Sequence, residues 1–345
     1  MNKKKRERVT IGRIWGLIYP MLLYLGITLV IEILFMIAVA VVGISQYGLD
    51  NEVQLYDFVM EATMSQALSM TLLAGLATAP ILIFLYIRDN NKDRRNGTFV
   101  KYKMNNVLKY LLIIPFGAFN MLWANYFVAL LQLIMPKFMV ESYTNTQQMI
   151  VEGGFLMQFL TAGIVAPIVE ELIFRGLVYK RVKKMTGTVA AAILSAALFG
   201  IFHGNWVQAP YAFIIGIMAV FVYEKFKSIV APIMLHMSAN ILSVVLMTVA
   251  STDTTSVEDV NMHTPSYVFS LILFIFITAI LAAIFGVIIW NKVNPVAINV
   301  KKSSDDSGYG SGTEAGGNSE YNNDSYYTNN SDNNSNLDHN NDNEI

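Results

Sequence analysis

Residues 155–179 read FLMQFLTAGIVAPIVEELIFRGLVY, and this stretch decides the fold. It holds 25 residues and only three charged side chains, Glu170, Glu171 and Arg175. A helix needs about 20 mostly apolar residues to cross the hydrocarbon core of a bilayer. We therefore predict a transmembrane helix here. Its charges point to function, because ionisable residues are costly to keep inside a span.

Seven other stretches share this apolar character and bring the prediction to about eight transmembrane helices. They lie at roughly 15–44, 66–87, 109–135, 188–204, 207–223, 229–249 and 266–290. The stretches 188–204 and 207–223 are short and nearly end to end, so they are either two full spans or a span with a re-entrant neighbour. The predicted fold class is all-α, a polytopic membrane helical bundle.

The composition supports a membrane location. Of the 345 residues, 54% are hydrophobic and 14% are charged, and the mean hydropathy is +0.46. About a quarter of the residues are charged in an average soluble domain, so we expect the apolar excess to face the membrane lipid bilayer. The chain has no cysteine, which excludes disulfides, thiolate metal sites and cysteine nucleophiles. No feature of the sequence predicts a nucleic-acid partner.

The basic residues predict the orientation in the cell membrane. If the N-terminus is cytoplasmic, 22 of the 24 Lys and Arg residues lie inside, and the exceptions are Lys137 and Arg175. Lys and Arg collect in cytoplasmic connections, so we predict a multi-pass protein with both termini cytoplasmic. The first stretch, 15–44, is too long for a cleaved secretory signal and is predicted to remain as a span.

Composition also divides the chain into regions. We expect a basic cytoplasmic N-terminus at 1–14, the first transmembrane helices at 15–150, a catalytic core at 151–250 and the last transmembrane helix at 251–300. Residues 301–345 are rich in Ser, Asn, Asp, Gly and Tyr and nearly lack aliphatic side chains. Such a segment cannot bury enough apolar surface to offset its ordering entropy, so we predict a disordered cytoplasmic tail.

Polar side chains inside three spans are the candidate site. Glu170, Glu171 and Arg175 lie in the fourth stretch, His203 in the fifth, and His236 and Asn240 in the seventh. The remaining histidines, His263 and His339, are predicted to be solvated.

Helical spacing sorts these residues, because residues four apart share a face and adjacent residues point about 100° apart. Glu171 and Arg175 are predicted to form an ion pair, and Glu170, facing elsewhere, needs a partner on another span. His236 and Asn240 share one face, and Phe199 stands one turn before His203.

These residues allow two interpretations, a structural role and a catalytic role. A buried Glu–Arg pair is more often structural than catalytic, and an intramembrane histidine often only bonds a neighbouring helix. The joint pattern on three spans favours an active site. A carboxylate and an imidazole can activate water, while a second imidazole and an amide can stabilise an oxyanion. The same groups (Glu170, His203 and His236) could instead hold a divalent metal such as zinc, although the HExxH signature is absent.

The polar residues form three short motifs: EELIFR at 170–175, FGIFH at 199–203 and HMSAN at 236–240. In this order and setting they resemble the EExxxR, FxxxH and HxxxN/D pattern of the CPBP family, the CAAX-protease and bacteriocin-processing group, also called Abi proteins. The resemblance covers residues 155–250. Its implied activity is an intramembrane protease that cuts a membrane-associated peptide or protein substrate.

The resemblance also implies roles for individual residues. Glu170 with His203 would activate the water, and His236 with Asn240 would stabilise the oxyanion. Glu171, Arg175 and Phe199 would support them. Members are described both as metalloproteases and as glutamate proteases, so the cofactor stays open between none and a divalent metal.

A binding protein is the competing class for this chain. Family relatives in bacteria are tied to bacteriocin processing and self-immunity, and the short connections here resemble that branch. The alternatives are therefore a non-enzymatic immunity protein in the membrane, or a transporter that uses the same polar residues as a relay. A Glu170→Gln substitution distinguishes an enzyme from a pure binding protein, since the binding protein should keep its function.

Overall fold

The computed structural model describes residues 7–48, 50–252 and 264–298, which form ten helices and one two-stranded sheet. The first helices are α1 (Ile11–Tyr47), α2 (Glu52–Ser65), α3 (Ala67–Arg95), α4 (Val107–Ile134) and α5 (Lys137–Glu152). The second half holds α6 (Gly154–Thr186), α7 (Thr188–Phe202), α8 (Gln208–Phe226), α9 (Val230–Thr252) and α10 (Pro265–Lys292). Strands β1 (Lys101–Lys103) and β2 (Val296–Ile298) pair antiparallel, with Lys101 opposite Ile298.

Seven of these helices are long and apolar enough to cross a membrane: α1, α3, α4, α6, α8, α9 and α10. They correspond to seven of the eight predicted stretches and confirm the all-α membrane bundle. The remaining stretch, 188–204, forms α7, which has 15 residues. At 1.5 Å per residue α7 is about 22 Å long, shorter than the roughly 30 Å hydrocarbon core, and of this pair only α8 has the length and hydropathy of a span.

Two helices, α2 and α5, lie in connections that the sequence left without structure. Both are more polar than the spans, and neither reaches the length and hydropathy of a span. Helix α5 keeps apolar residues on one side, and two of its residues, Gln147 and Ile150, line the cavity described below. A search for spans alone cannot find such helices, since their apolar faces are narrow.

Side-chain caps start several helices. Asn106 Oδ1 accepts from Leu108 N at 2.9 Å where α4 begins, and Thr264 precedes Pro265 at the start of α10. Asn205 Oδ1 accepts from the N–H groups of Val207 and Gln208 at 2.9 and 3.2 Å and so starts α8. These caps satisfy N–H groups that no helical carbonyl can reach.

Helix α6 is the centre of the fold. Residues Leu172–Tyr179 are all buried, and they belong to an apolar cluster shared with α1, α3, α7 and α8. A second cluster joins α4, α8, α9 and α10 around Phe116, Val222, Leu235 and Ile289. Helix α8 takes part in both clusters, so it ties α6 to the helix that carries His236.

Several predicted features lie outside the described residues. These are residues 1–6 of the basic N-terminus, the loop histidine His263, and the tail 301–345 with His339. The orientation in the membrane and the domain boundaries stay predictions. The described residues all belong to one compact unit, Met1–Val300.

Close packing at Gly117 fixes α9 against α4. A Cβ at Gly117 would overlap Ser238 Oγ and lie 2.7 Å from the carbonyl oxygen of Leu235, the residue before His236. We expect Gly117→Ala to destabilise the protein by about 1–3 kcal/mol, since the backbone of α9 must move. Thermal unfolding of purified protein measures this. Gly26→Ala is the control, because a Cβ at Gly26 has no neighbour within 4 Å; an equal loss in both variants would contradict the packing argument.

Candidate active site

The middle of α6 departs from regular α-helix. Two segments with wider, π-helical turns, Phe159–Val165 and Leu172–Tyr179, flank the α-helical turn Ala166–Glu171. The N–H of Ala166 donates to Thr161 O, and Pro167 has no N–H to donate. The carbonyl of Ala162 instead accepts a hydrogen bond from Asn240 Nδ2 at 2.8 Å. The wide turn and the proline thus create the contact that holds Asn240.

The four residues predicted as catalytic line one cavity of about 200 Å³. Glu170 comes from α6, His203 directly follows α7, and His236 and Asn240 come from α9. Small side chains, Ala162, Ala166, Ala212 and Ala239, form much of the remaining wall. Residues that are far apart in the sequence therefore share one partly open cavity within an apolar bundle.

Phe199 bridges the two histidines. Its ring contacts the rings of His203 and His236 edge to face, with centroid distances of 4.7 and 5.6 Å. Because α7 is short and ends at Phe202, His203 lies where it can reach the cavity.

His203 is held in one tautomer. Its Nδ1 lies 2.8 Å from the carbonyl oxygen of Phe199. A carbonyl oxygen only accepts hydrogen bonds, so Nδ1 carries the hydrogen in the neutral ring. The lone pair is then on Nε2, which is the form a general base requires.

His236 lies between the two glutamates. Its Nδ1 is 3.1 Å from Glu171 Oε1, and its Nε2 is 3.8 Å from Glu170 Oε2. The first contact is a hydrogen bond in which the ring donates. The second is too long for a direct bond and leaves space for a bridging water.

Helical spacing predicted Arg175 as the partner of Glu171 and a separate orientation for Glu170, and the structure adds a contact of both carboxylates with His236. The two carboxylates do diverge, but the nitrogens of an imidazole lie on different edges of its ring. One ring placed between the carboxylates therefore reaches both.

The predicted ion pair of Glu171 and Arg175 is confirmed. Arg175 Nη1 donates to Glu171 Oε1 at 2.9 Å, and both side chains are buried, with exposures of 0% and 1%. Arg175 Nη2 donates to the carbonyl oxygen of Gly216 at 3.0 Å, and the guanidinium lies 4.5 Å from the centre of the Phe199 ring. Arg175, Glu171 and His236 thus form one chain of contacts.

Gly216 provides the room for Arg175 on α8. A Cβ at this position would lie 2.9 Å from Ala196 Cβ and 3.1 Å from Arg175 Nη2. No pattern in the sequence indicated this partner, because the contact is made by a backbone carbonyl. Polar residues Gln147, Gln208, Tyr211 and Ser243 also line the cavity. Gln147 was missed because its helix, α5, was not predicted.

Several buried polar atoms at the site lack a hydrogen-bond partner within the part of the chain described. They include Glu170 Oε2, Glu171 Oε2 and Arg175 Nε. Buried polar groups are nearly always satisfied by protein or by ordered water. A polar cavity of this volume can hold several water molecules, so the site is built to bind water beside Glu170.

The metal alternative was tested against the positions of the ligand-type side chains. Within residues 7–48, 50–252 and 264–298, no three His, Asp or Glu side chains lie close enough together to hold a metal ion. Nδ1 of His203 contacts the Phe199 carbonyl and Nδ1 of His236 contacts Glu171, so each ring keeps only Nε2 as a possible ligand. The residues do not fit a three-ligand zinc site, so we derive no step through a metal.

Comparison with known proteins points to one family. Residues 152–242 match the family model of "Type II CAAX prenyl endopeptidase Rce1-like". The chain is also 29% identical over 103 residues to YdiL of Bacillus subtilis (strain 168), a protein named as a candidate membrane peptidase. That match covers 30% of this chain and 42% of the relative. No solved structure matches the chain.

The matched residues coincide with the structural site. The interval 152–242 begins where α5 ends, contains the three motifs and ends two residues after Asn240. It therefore includes every side chain of the contact chain and all four predicted catalytic residues. Residues 152–242 are therefore similar to the Rce1-like CAAX prenyl endopeptidases, in agreement with the resemblance of the three motifs to the CPBP family.

Proposed function

We propose that this protein is an intramembrane endopeptidase that hydrolyses a peptide bond of a membrane-associated peptide or protein. The observation that carries the proposal is the convergence of Glu170, His203, His236 and Asn240 on one cavity inside the bundle. Three further observations support it: the family match, the partnerless Glu170 oxygen and the fixed tautomer of His203.

Water activation is assigned to Glu170 and His203. Both side chains face the cavity, and the ion-pair contact of Glu170 with His236 is long, at 3.8 Å. A water held beside Glu170 Oε2 gives up its proton as its oxygen attacks the scissile carbonyl carbon. The proton then passes to the departing amide nitrogen. Water and peptide become an acid and an amine without a covalent enzyme intermediate.

Oxyanion stabilisation is assigned to His236 and Asn240. Asn240 uses one hydrogen of Nδ2 on Ala162 and keeps the second for the cavity. His236 donates Nδ1–H to Glu171, so its Nε2 can donate to an oxyanion only when the ring carries a second proton, and this Nε2 lies 3.8 Å from Glu170 Oε2. Two such donors stabilise the negative oxygen of a tetrahedral intermediate.

The test compares peptides released in the native host. We expect peptides that are produced with the wild-type chain to disappear when it is replaced by a His203→Ala variant, because the general base is lost. Mass spectrometry of membrane and secreted peptides measures this. The same change at His263, outside the apolar stretches, is the matched control. An unchanged peptide set together with an unchanged host phenotype would favour the immunity-type binding protein and sink the proposal.

A further inference from the structure

A second cavity, of about 470 Å³, lies where helices α3, α6 and α8 end. We call it the lysine cavity, and it is lined by five lysines, two acids and a group of aromatic residues. Its charged residues are Lys101, Lys180, Lys183, Lys184, Lys227, Asp93 and Glu224. None of the residues assigned to hydrolysis lines it.

The positive charge in the lysine cavity exceeds the negative charge. Glu224 accepts from Lys183 at 2.6 Å, from Lys227 at 2.7 Å and from the Tyr179 hydroxyl at 2.8 Å. The Glu224 carboxylate thus forms ion pairs with two ammonium groups. Asp93 likewise serves Lys184 and, at 3.7 Å, Lys180. Lys101 adds a further charge, so the lysines that line the cavity outnumber its lining acids by three.

Aromatic rings hold some of these lysines in place. Lys180 lies 5.2 Å from the centre of the Tyr86 ring, Lys183 lies 5.6 Å from that of Tyr179, and Lys227 lies 5.9 Å from that of Tyr102. Each ammonium group has three hydrogens, and the acids use only part of them. The remaining hydrogens can bind an anion with several oxygens.

The cavity lies at the ends of three helices that are long and apolar enough to span a membrane. Its walls come from the last turns of three spanning helices: Tyr86–Asp93 of α3, Tyr179–Lys184 of α6 and Tyr223–Lys227 at the end of α8. Tyrosine and lysine at span ends mark the level of lipid headgroups. Basic pockets between helices at this level suit phosphate-bearing headgroups.

We propose that the lysine cavity binds the phosphate group of an anionic membrane lipid. The ammonium groups of Lys101 and Lys227 contact the phosphate oxygens, while Lys183 and Lys184 remain paired with Glu224 and Asp93. The proposal is independent of peptide hydrolysis, since it uses no residue of the active site.

The test titrates purified full-length protein in neutral detergent with phosphatidylglycerol, and native mass spectrometry counts the bound lipid. Each lysine near an anionic lipid contributes about 1 kcal/mol, so Lys101→Gln/Lys227→Gln is expected to weaken binding about 25-fold. Glu224 keeps Lys183 and Tyr179 as partners in this variant, so no acid is left unpaired.

The control variant is Lys103→Gln. It removes the same charge from the same strand but outside the cavity, and it should bind the lipid like wild type. If the double variant fails to fold, Lys101→Gln alone, on the exposed strand β1, is expected to weaken binding about fivefold.

Two further arms identify the source of the phosphate. Phosphatidylcholine, whose headgroup is neutral, is expected to bind at least about tenfold more weakly than phosphatidylglycerol. Inorganic phosphate is the second ligand. If it binds the wild type but not the double variant, and if no lipid binds, the phosphate site is supported and its ligand is a soluble phosphate. Equal lipid binding by the wild type and the cavity variants, or an equal loss in Lys103→Gln, would overturn the proposal.

Discussion

Replacing Glu170 with glutamine is expected to abolish peptide hydrolysis while the helical bundle stays folded. Glutamine has the shape of glutamate but cannot accept a proton from water, so the loss should reach about 10²–10⁴-fold. The fold should survive because Glu170 Oε2 has no hydrogen-bond partner in the described chain and its side chain is 18% exposed. Removing its charge therefore weakens only the long contact with His236, at 3.8 Å, among the ion pairs of the described residues.

The measurement is the rate at which a peptide identified in the host is cut by purified protein, followed by mass spectrometry. Size-exclusion elution and thermal unfolding report the fold. Glu152→Gln makes the same chemical change on an exposed part of α5 and should leave the rate unchanged. Activity above about a tenth of the wild-type rate in Glu170→Gln would remove this carboxylate from water activation.

The spans could be predicted because the bilayer imposes a length. A stretch such as 266–290 is apolar on every side, so composition alone identifies α10 as a span. Helices α2 and α5 were missed for the same reason, since neither is apolar enough to span. What shapes them is contact with neighbouring helices, and the sequence does not display those contacts directly.

At the site, the sequence predicted pairs within one helix better than contacts between helices. The spacing of Glu171 and Arg175 requires only one helical turn, and the ion pair is present at 2.9 Å. The contact of Glu171 with His236 depends on the position of α9 and on the orientation of an imidazole ring. The Asn240 contact depends on a wide turn of α6 beside Pro167. Regular helical geometry predicts neither of these two contacts.

Glu171→Ala is expected to reduce both the amount of folded protein and the activity of the protein that folds. It leaves the guanidinium of Arg175 buried with only the Gly216 carbonyl as a hydrogen-bond acceptor at normal distance. Removing one partner of a buried ion pair costs about 3–5 kcal/mol, which is a large part of the stability of most proteins. The exposed pair of Glu7 and Arg13 provides the control, since Glu7→Ala should cost at most about 1 kcal/mol.

A double substitution separates the structural from the positioning contribution of Glu171. Glu171→Met with Arg175→Met removes both charges and fills the space with apolar side chains, a change that restores stability in other buried pairs. We expect folding to recover toward wild type, measured by thermal unfolding, while the cleavage rate stays low. The rate stays low because His236 Nδ1 has lost its acceptor, so its ring is no longer held with Nε2 toward Glu170. Full recovery of the cleavage rate in the double variant would mean that Glu171 serves only to neutralise Arg175. A Glu171→Ala variant that is stable but does not cleave would instead place Glu171 among the residues that contact the reacting atoms.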